Sequence, residues 1–282
     1  MPSTGKELRM RRLLDPSTGT CFMFAISHGT SASTVIPGID KIRTMVHHAL
    51  NGGADVVFLS RGYVFQLADE FRKRRDASIA LKVSSSAARA ATKNQEVQIA
   101  SPAEAAKLGV DAVVALVPLA PENEPQVLSW VARLGEECNE YGLPFIAEAE
   151  YPSSYEPSAA KINFGEHLEY LKRSARLCAE LGADIIKTNW TGSAESFRKI
   201  TEAVSDFPVV VAGGSRESDE DLLLKIEAAL KAGAIGCSVG RNIFQHPDPE
   251  AMSRAISNVL RGKASAKEAA TELREKLKKK KS

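Results

Sequence analysis

A lysine inside an apolar segment is the first residue of this chain that could do chemistry. Lys187 lies in the segment ADIIKTNW, where a charged side chain is costly unless it is paired or neutral. A neighbouring cation such as Arg241 or Lys82 would lower the pKa of Lys187, and a neutral amine can attack a carbonyl carbon to form a Schiff base. A salt bridge to Glu148 or Glu150 would be structural instead. The position of Lys187 leaves both interpretations open.

Two glycine-rich segments, VAGGS and SVGRN, indicate a phosphate site. Glycine lets the backbone come close to an oxyanion, and arginine adds charge-assisted hydrogen bonds. The glycines could also serve only to turn the chain. The predicted phosphate-binding residues are Gly213, Gly214, Ser215, Gly240 and Arg241.

The segment AEAEYP offers groups for proton transfer. Glu148 and Glu150 are two residues apart and face the same side of an extended strand. They could act as an acid/base pair or simply be partners of Lys82 and Lys187. Tyr151 could relay a proton if a cation lowers its pKa, or it could be a packing residue.

Short apolar runs, separated by amphipathic segments, are the elements that must position these residues. Runs without polar alternation are typical of parallel strands buried on both faces. Several helices end at a glycine that the next run follows at once, as in NGGAD, LGVD, LGAD and AGAI. No run is followed by GxGxxG, which disfavours an open doubly wound sheet. The eight runs are Cys21–Ile26, Val56–Leu59, Ile79–Val83, Ala112–Val117, Phe145–Ala149, Asp184–Thr188, Val209–Ala212 and Ile235–Val239.

Eight strands alternating with helices predict an α/β protein with a (β/α)8 barrel, the TIM barrel, as a single domain. We assign residues 21–260 to the barrel, 1–20 to an N-terminal extension and 261–282 to a C-terminal helix with a lysine-rich tail. The long connection after the third run is expected to carry an extra short strand at Glu96–Ile99.

The active site of such a barrel lies at the carboxyl ends of its strands. That rule adds Ser27 and His28, which follow the first run. His28 could orient the site or a substrate hydroxyl, or it could be purely structural. The predicted lining of the substrate pocket is Arg61, Lys82, Ser84 and Trp190.

The charge and the cysteine pattern exclude several classes of protein. The 282 residues include 37 lysines and arginines against 35 acidic residues, and a group of these lysines lies at the far end of the chain. The remaining body is slightly acidic, so nucleic acid is not an expected partner. No apolar run approaches the ~18 residues that span a membrane, and the N-terminus has no hydrophobic signal-peptide core. Four scattered cysteines predict reduced thiols in a cytoplasmic protein.

No metal and no other cofactor is predicted. The cysteines lack the paired spacing of a zinc site. Among the five histidines only His28 clearly lies at a strand end, whereas a zinc site needs three or four converging ligands.

These motifs resemble a known group of enzymes, the archaeal-type class I fructose-bisphosphate aldolases. Their relatives are the aminodideoxyheptulosonate synthases and the autoinducer-2 aldolase/thiolase enzymes, all within the deoxyribose-phosphate aldolase-like superfamily. The resemblance covers roughly residues 20 to 260, and its main motifs are GADIIKTNW, VVVAGGS, GCSVGRNIFQHPDP and PFIAEAEYP.

The resemblance implies a role for several residues. Lys187 would form the imine, Tyr151 would transfer a proton, and the glycines of both loops with Arg241 would hold the substrate phosphate. It also implies a metal-independent reaction on a phosphorylated ketose and a homo-oligomer, often of ten subunits.

The chain departs from the family after the first strand. The family usually has Asp-His-Gly where this chain has Ser27, His28 and Gly29. We hypothesise that Glu148 or Glu150 replaces the lost carboxylate. Three functions follow: an aldolase acting on a sugar phosphate such as fructose 1,6-bisphosphate, a transaldol- or thiolase-type transferase on the same scaffold, and a non-catalytic sugar-phosphate-binding protein.

Overall fold

Eight parallel strands close into a barrel in the computed structural model of this chain. The structure describes residues 3–32, 34–72, 77–86, 96–119, 124–150 and 167–280. We number only the barrel strands, and their order around the barrel is β1-β8-β7-β6-β5-β4-β3-β2. The strands are β1 Cys21–Ala25, β2 Val56–Leu59, β3 Ser78–Lys82, β4 Ala112–Leu116, β5 Phe145–Ala149, β6 Ile185–Thr188, β7 Val209–Ala212 and β8 Gly236–Val239.

Helices follow the strands and form the outer layer. They are α1 Thr4–Arg12, α2 Ile42–Asn51, α3 Arg61–Arg72, α4 Pro102–Leu108, α5 Glu124–Glu140, α6 Leu168–Glu180, α7 Ala194–Ala203, α8 Asp219–Lys231, α9 Arg241–Phe244, α10 Pro249–Leu260 and α11 Ala266–Lys279. Gly109 ends α4 with a φ of +72°, which shows the glycine stop read from the sequence. The predicted (β/α)8 barrel is confirmed, and the observed strands differ from the apolar runs by at most a residue or two at their ends.

The strands are buried on both faces because successive side chains point alternately into the barrel and toward the helices. The interior cluster includes Met23, Phe58 and Ile146. Phe22 and Leu81 belong to the cluster between the strands and the helices. This double burial explains the continuous apolar runs of the sequence.

The N-terminal segment closes one end of the barrel. Leu13 is fully buried in the interior cluster, and its carbonyl oxygen accepts a hydrogen bond from Cys21 Sγ at 3.0 Å. The segment assigned to an extension outside the barrel therefore supplies the floor of its core. The floor lies at the amino ends of the strands, opposite the predicted site.

The C-terminal segment forms the expected helix. Ser265 and Glu268 form a capping box at the start of α11. Buried residues such as Ala269 and Leu273 pack it onto the barrel, and the terminal lysines that the structure describes are exposed. None of the described helices combines the length and the apolar character needed to cross a membrane.

The predicted extra strand is also present. Glu96–Gln98 pairs antiparallel with Ser84–Ser86, and the two form a hairpin after β3. The hairpin lies at the carboxyl end of the barrel, beside the residues predicted to carry the chemistry.

Candidate active site

Lys187 and Glu148 lie side by side at the carboxyl ends of two neighbouring strands. Lys187 is on β6 and Glu148 is on β5, and the parallel register pairs them directly. Lys187 Nζ donates a hydrogen bond to Glu148 Oε1 at 2.7 Å and lies 2.7 Å from Glu150 Oε1. All three side chains are buried, so the amine is held between two carboxylates away from solvent.

Lys82 on β3 reaches the same carboxylate. Its Nζ donates to Glu148 Oε2, so each oxygen of Glu148 binds one lysine. Burial acts to raise the pKa of Glu148, but the charges and hydrogen bonds of Lys187 and Lys82 hold it well below its ordinary value. We call Lys82, Glu148, Glu150 and Lys187 the lysine–glutamate cluster.

The pKa of Lys187 is raised, contrary to the sequence prediction. Burial acts to lower this pKa, but the charges of Glu148 and Glu150 outweigh burial and keep the amine protonated. The prediction that Arg241 or Lys82 lowers the pKa is therefore wrong, because two carboxylates contact the amine directly. In this structure Lys187 takes part in the salt bridges that the sequence offered as the alternative.

His28 is buried at the end of β1. Its ring packs edge-on against Phe244, with the ring centroids 5.2 Å apart. Burial, followed by the charges of Arg241 and Lys187, lowers the pKa of His28 to about 3. At neutral pH His28 is an uncharged imidazole, which can donate one hydrogen bond and accept another.

The two glycine-rich loops come together at the carboxyl ends of β7 and β8. Gly214 has a φ of +73°, a left-handed conformation that glycine adopts without strain. A Cβ added to Gly240 would lie 2.4 Å from the carbonyl oxygen of Ala25 and 2.6 Å from His28 Cε1. Gly240 therefore allows the β8 loop to pack against β1, and Arg241 follows as the first residue of α9.

Asn242 ties the two loops together, although the sequence analysis did not select it. Its amide nitrogen donates to the carbonyl oxygens of Gly213 and Ser215, at 3.3 and 3.0 Å. Its Oδ1 accepts from the backbone N–H of Glu217 at 3.0 Å. The side chain is fully buried. The signal in the sequence was its position directly after Arg241, a residue predicted to bind the substrate phosphate.

Of the remaining predicted residues, one lines a cavity at the strand ends and others make contacts away from the lysine–glutamate cluster. Ser27 lines a cavity of about 520 Å³ at the ends of β1 and β2, together with Ser60 and Tyr63. The structure does not bring Arg61 to the lysine–glutamate cluster: its guanidinium donates to the carbonyl oxygen of Ile99 and pairs with Glu104 at 3.2 Å.

Ser84 and Trp190 make structural contacts. The hydroxyl oxygen of Ser84 accepts a hydrogen bond from the backbone N–H of Leu116 at 3.0 Å. Trp190 is half-buried and packs on Phe197 of α7, with the ring centroids 5.4 Å apart. Both residues follow strand ends, as predicted, but these contacts serve packing. Tyr151 lies outside the described residues, and its predicted role stays a prediction.

No metal-binding group was found in the part of the chain that the structure describes. There, no three His, Cys, Asp or Glu side chains converge as metal ligands do. The charged groups of the site are paired with one another, lysine to glutamate.

Solved structures with the same barrel include those of aldolases. A crystal structure of an archaeal fructose 1,6-bisphosphate aldolase superimposes with a TM-score of 0.78, at 24% identity over 92% of this chain and 100% of that one. A fructose-bisphosphate aldolase from Slackia heliotrinireducens has a TM-score of 0.78 at 18% identity, over 97% of this chain and 92% of that one. At these identities the similarity establishes the fold.

Sequence comparison establishes the family. Residues 21–246 match the DeoC/LacD family of aldolases. An uncharacterized aldolase from Saccharolobus solfataricus is 30% identical over 94% of this chain and 97% of its own length. A 2-amino-4,5-dihydroxy-6-oxo-7-(phosphonooxy)heptanoate synthase from Streptomyces griseus is 29% identical over 90% of each chain. The chain belongs to the DeoC/LacD aldolase family and is an enzyme of the lyase class.

Proposed function

We propose that this protein is a class I aldolase that cleaves or forms a carbon–carbon bond in a phosphorylated ketose, such as fructose 1,6-bisphosphate or a related sugar phosphate. Lys187 is the residue that forms the imine. The observation that carries this proposal is the buried Lys187 amine, 2.7 Å from each of two carboxylates at the carboxyl end of the barrel. Active sites of TIM barrels lie at that end.

The two carboxylates disfavour the neutral amine of Lys187, but they stabilise the cationic imine that forms from it. Lys187 must lose a proton before it can attack a carbonyl carbon, and Glu148 or Glu150 is in place to accept that proton. The imine formed on Lys187 is cationic when protonated. The same two carboxylates then stabilise its positive charge, as they stabilise the ammonium group in this structure.

Lys82 and Glu148 act as a pair in this mechanism. Lys82 keeps Glu148 ionised, so that Glu148 remains able to accept a proton from Lys187. When the proton returns, it is available for the hydroxyl that leaves the carbinolamine as water. These roles also support the hypothesis that Glu148 or Glu150 supplies the carboxylate absent at Ser27. Tyr151 remains a proposed proton-transfer residue on the basis of the resemblance alone.

We assign the substrate phosphate to the loops after β7 and β8. Backbone N–H groups of Gly213, Gly214, Ser215 and Gly240 would bind the phosphate oxygens, and Arg241 would add charge-assisted hydrogen bonds. Asn242 supports this assignment. It directly follows Arg241, and its three hydrogen bonds hold the β7 loop beside the start of α9.

A second candidate is a transferase or synthase reaction on the same scaffold. Two relatives favour it, the Streptomyces griseus synthase and a 2-amino-3,7-dideoxy-D-threo-hept-6-ulosonate synthase from Halobacterium salinarum, which is 29% identical over 92% of this chain. The first of these names contains a phosphonooxy group, which agrees with a phosphorylated substrate. We further propose a cytoplasmic homo-oligomer, following the cysteine pattern and the resemblance.

Borohydride trapping tests the proposed function. The protein is incubated with dihydroxyacetone phosphate or with fructose 1,6-bisphosphate, reduced, and mapped by peptide mass spectrometry. We expect an adduct on Lys187 that is absent from Lys187→Arg, a variant that keeps the positive charge between the carboxylates. Absence of an adduct from the folded wild-type protein with both ligands would contradict an aldolase of this substrate class and favour the non-catalytic binding protein.

A further inference from the structure

The hairpin after β3 carries a carboxyl group that the mechanism above does not use. Glu96 lies opposite Ser86 in the antiparallel pair. The hairpin is anchored to the segment after β1, because Ser85 Oγ donates to the carbonyl oxygen of Thr30 and the Ser86 N–H donates to Ser31 Oγ at 3.3 Å. The strand that pairs with Glu96 is therefore anchored to the segment after β1 at the carboxyl end of the barrel.

One oxygen of this carboxyl group accepts a hydrogen bond from a described residue, and no such bond was found for the other. Glu96 Oε2 accepts a hydrogen bond from Ser86 Oγ at 2.7 Å. Glu96 Oε1 is screened from solvent and makes no hydrogen bond to the described residues. A buried carboxyl oxygen without a partner is costly, and such an atom in a folded protein calls for an explanation. A substrate hydroxyl that binds there supplies one.

Two members of the lysine–glutamate cluster, Lys82 and Glu148, act on Glu96 through their charges. Burial raises the pKa of Glu96, the charge of Lys82 and the hydroxyls of Ser84 and Ser86 lower it, and the charge of Glu148 raises it further. The net pKa lies above the ordinary value of a glutamate. A carboxyl group with a raised pKa exchanges protons more readily near neutral pH than an ordinary carboxylate does.

The other two carboxylates of the site are already committed to the amine. Glu148 binds a lysine with each oxygen, and Glu150 lies 2.7 Å from Lys187. Cleavage of an aldol also needs an acceptor for the proton of the hydroxyl beyond the imine. Glu96 differs from both, because it forms no ion pair with a lysine among the described residues and its Oε1 is buried without a hydrogen bond to them.

We propose that Glu96 is a further catalytic residue, whose Oε1 takes the proton from the substrate hydroxyl whose oxygen becomes the aldehyde. This assignment rests on the proposed function of Lys187. In the cleavage direction the O–H electron pair forms the new C=O bond. The electrons of the broken carbon–carbon bond neutralise the iminium on Lys187 to give an enamine, and the proton moves to Glu96. In the synthetic direction Glu96 returns the proton.

Two variants separate this role from a purely structural one. Glu96→Gln keeps an oxygen to accept from Ser86 but cannot take a proton, whereas Ser86→Ala removes that hydrogen bond and keeps the carboxyl group. We expect Glu96→Gln to lower kcat for cleavage by about 100-fold or more, with the pH dependence of kcat altered. Its Lys187 adduct with dihydroxyacetone phosphate should form as in the wild type. Ser86→Ala should lose no more than about fivefold.

The opposite pattern would overturn the assignment. If Glu96→Gln keeps kcat within about fivefold while Ser86→Ala is the more damaged variant, Glu96 only anchors the hairpin. If folded Glu96→Gln loses the adduct together with cleavage, Glu96 supports the cluster rather than the hydroxyl. Failure of the proposed function is distinguishable, because wild-type protein would then give no adduct with either ligand, and the role of Glu96 would fall with it.

Discussion

Buried lysines at the two ends of the barrel are paired with carboxylates in different ways. At the floor, Lys6 Nζ lies 2.8 Å from Asp184 Oδ2, and the same oxygen accepts from the backbone N–H of Phe145 at 2.8 Å. At the mouth, the hydrogen bonds found for the Glu148 carboxylate come from the side chains of Lys82 and Lys187. The floor carboxylate thus joins a side chain to the first residue of a strand, whereas the mouth carboxylate joins only side chains.

A second floor contact repeats the arrangement. Asp55 Oδ2 accepts from the backbone N–H of Phe22 at 2.7 Å, and Asp55 Oδ1 accepts from Arg261 at 2.8 Å. Ion pairs that include strand backbone cannot change partners without disturbing the barrel. Ion pairs between side chains can exchange protons and partners when a substrate enters. This difference supports the proposal that the floor serves stability and the mouth serves chemistry, as is usual for this fold.

Exchanging lysine for arginine at both ends tests this division most strongly. Lys187→Arg should abolish cleavage and borohydride trapping, because arginine keeps the charge but has no nucleophilic amine. Lys6→Arg should keep kcat at the wild-type level, although its packing changes. Steady-state kinetics and thermal unfolding on both variants make the comparison. Residual imine formation in Lys187→Arg would mean that another lysine carries the reaction.

Neutralising the mouth carboxylate should also affect activity first. Glu148→Gln removes the proton acceptor and should lower kcat by about 10³-fold. It also removes a charge that holds the pKa of Lys187 above its ordinary value, so the pKa of Lys187 should fall. Because imine formation needs the free amine, its rise with pH should move to lower pH. Trapping rates measured from pH 6 to 10 would show the shift, and an unchanged profile would argue against control by Glu148.

At the floor, Asp55 should make stability depend on pH. Burial is the main cause that raises the pKa of Asp55 to about 6 from an unfolded value of 3.8. The folded protein binds the Asp55 proton more tightly than the unfolded chain does. The stabilisation that this proton gives to the folded state is therefore complete below pH 3.8 and is lost as the pH rises through about 6. The change amounts to about 3 kcal/mol. The Asp55→Asn variant has no carboxyl group to titrate at this position. The free energy of unfolding of the wild type minus that of the variant should therefore fall as the pH rises from 4 to 7. A flat difference between pH 4 and 7 would contradict it.

The smallest expected effect is at the other floor aspartate. Asp184→Asn keeps an acceptor for the Phe145 N–H but leaves the buried Lys6 with Asn139 as its remaining neutral partner, at 2.5 Å. We expect the free energy of unfolding in urea to fall by about 2 kcal/mol. The value of kcat should stay within about twofold of the wild type, since a surface or floor change of this kind does not touch the reacting groups. A large loss of kcat would show that the two ends are coupled.

Much of the fold could be predicted from local patterns, and less of the site. The eight runs identify the strands because a strand buried on both faces must be apolar throughout. The rule that sites lie at strand ends brought Lys187, Glu148 and His28 into one region. The rule selects positions along the chain and not the direction in which a side chain points. It therefore also selected Arg61, which pairs with Glu104, and Trp190, which packs on Phe197.

The direction of the pKa shift of Lys187 could not be predicted from the sequence. The sequence contains lysines, arginines and glutamates at neighbouring strand ends, and either sign could dominate. The register of β5 and β6 decides the matter, because it places Glu148 directly beside Lys187. No functional role was predicted for Asn242 or Glu96 for a related reason, because Asn242 bonds to segments distant in the sequence and Glu96 pairs across a hairpin.

The sequence by itself determined the barrel and its strands, because burial and glycine stops are local constraints on each segment, and with them the end at which we propose the chemistry. It also determined the chemical groups available there: amines, carboxylates and glycine-rich loops. Only the tertiary structure decided which of these groups touch. Charge interactions depend on distances of a few ångströms between strands, and those distances arise from the register and closure of the barrel. The protonation of Lys187 and the neutral state of His28 follow from that closure, and the buried oxygen of Glu96 follows from the pairing of the hairpin after β3.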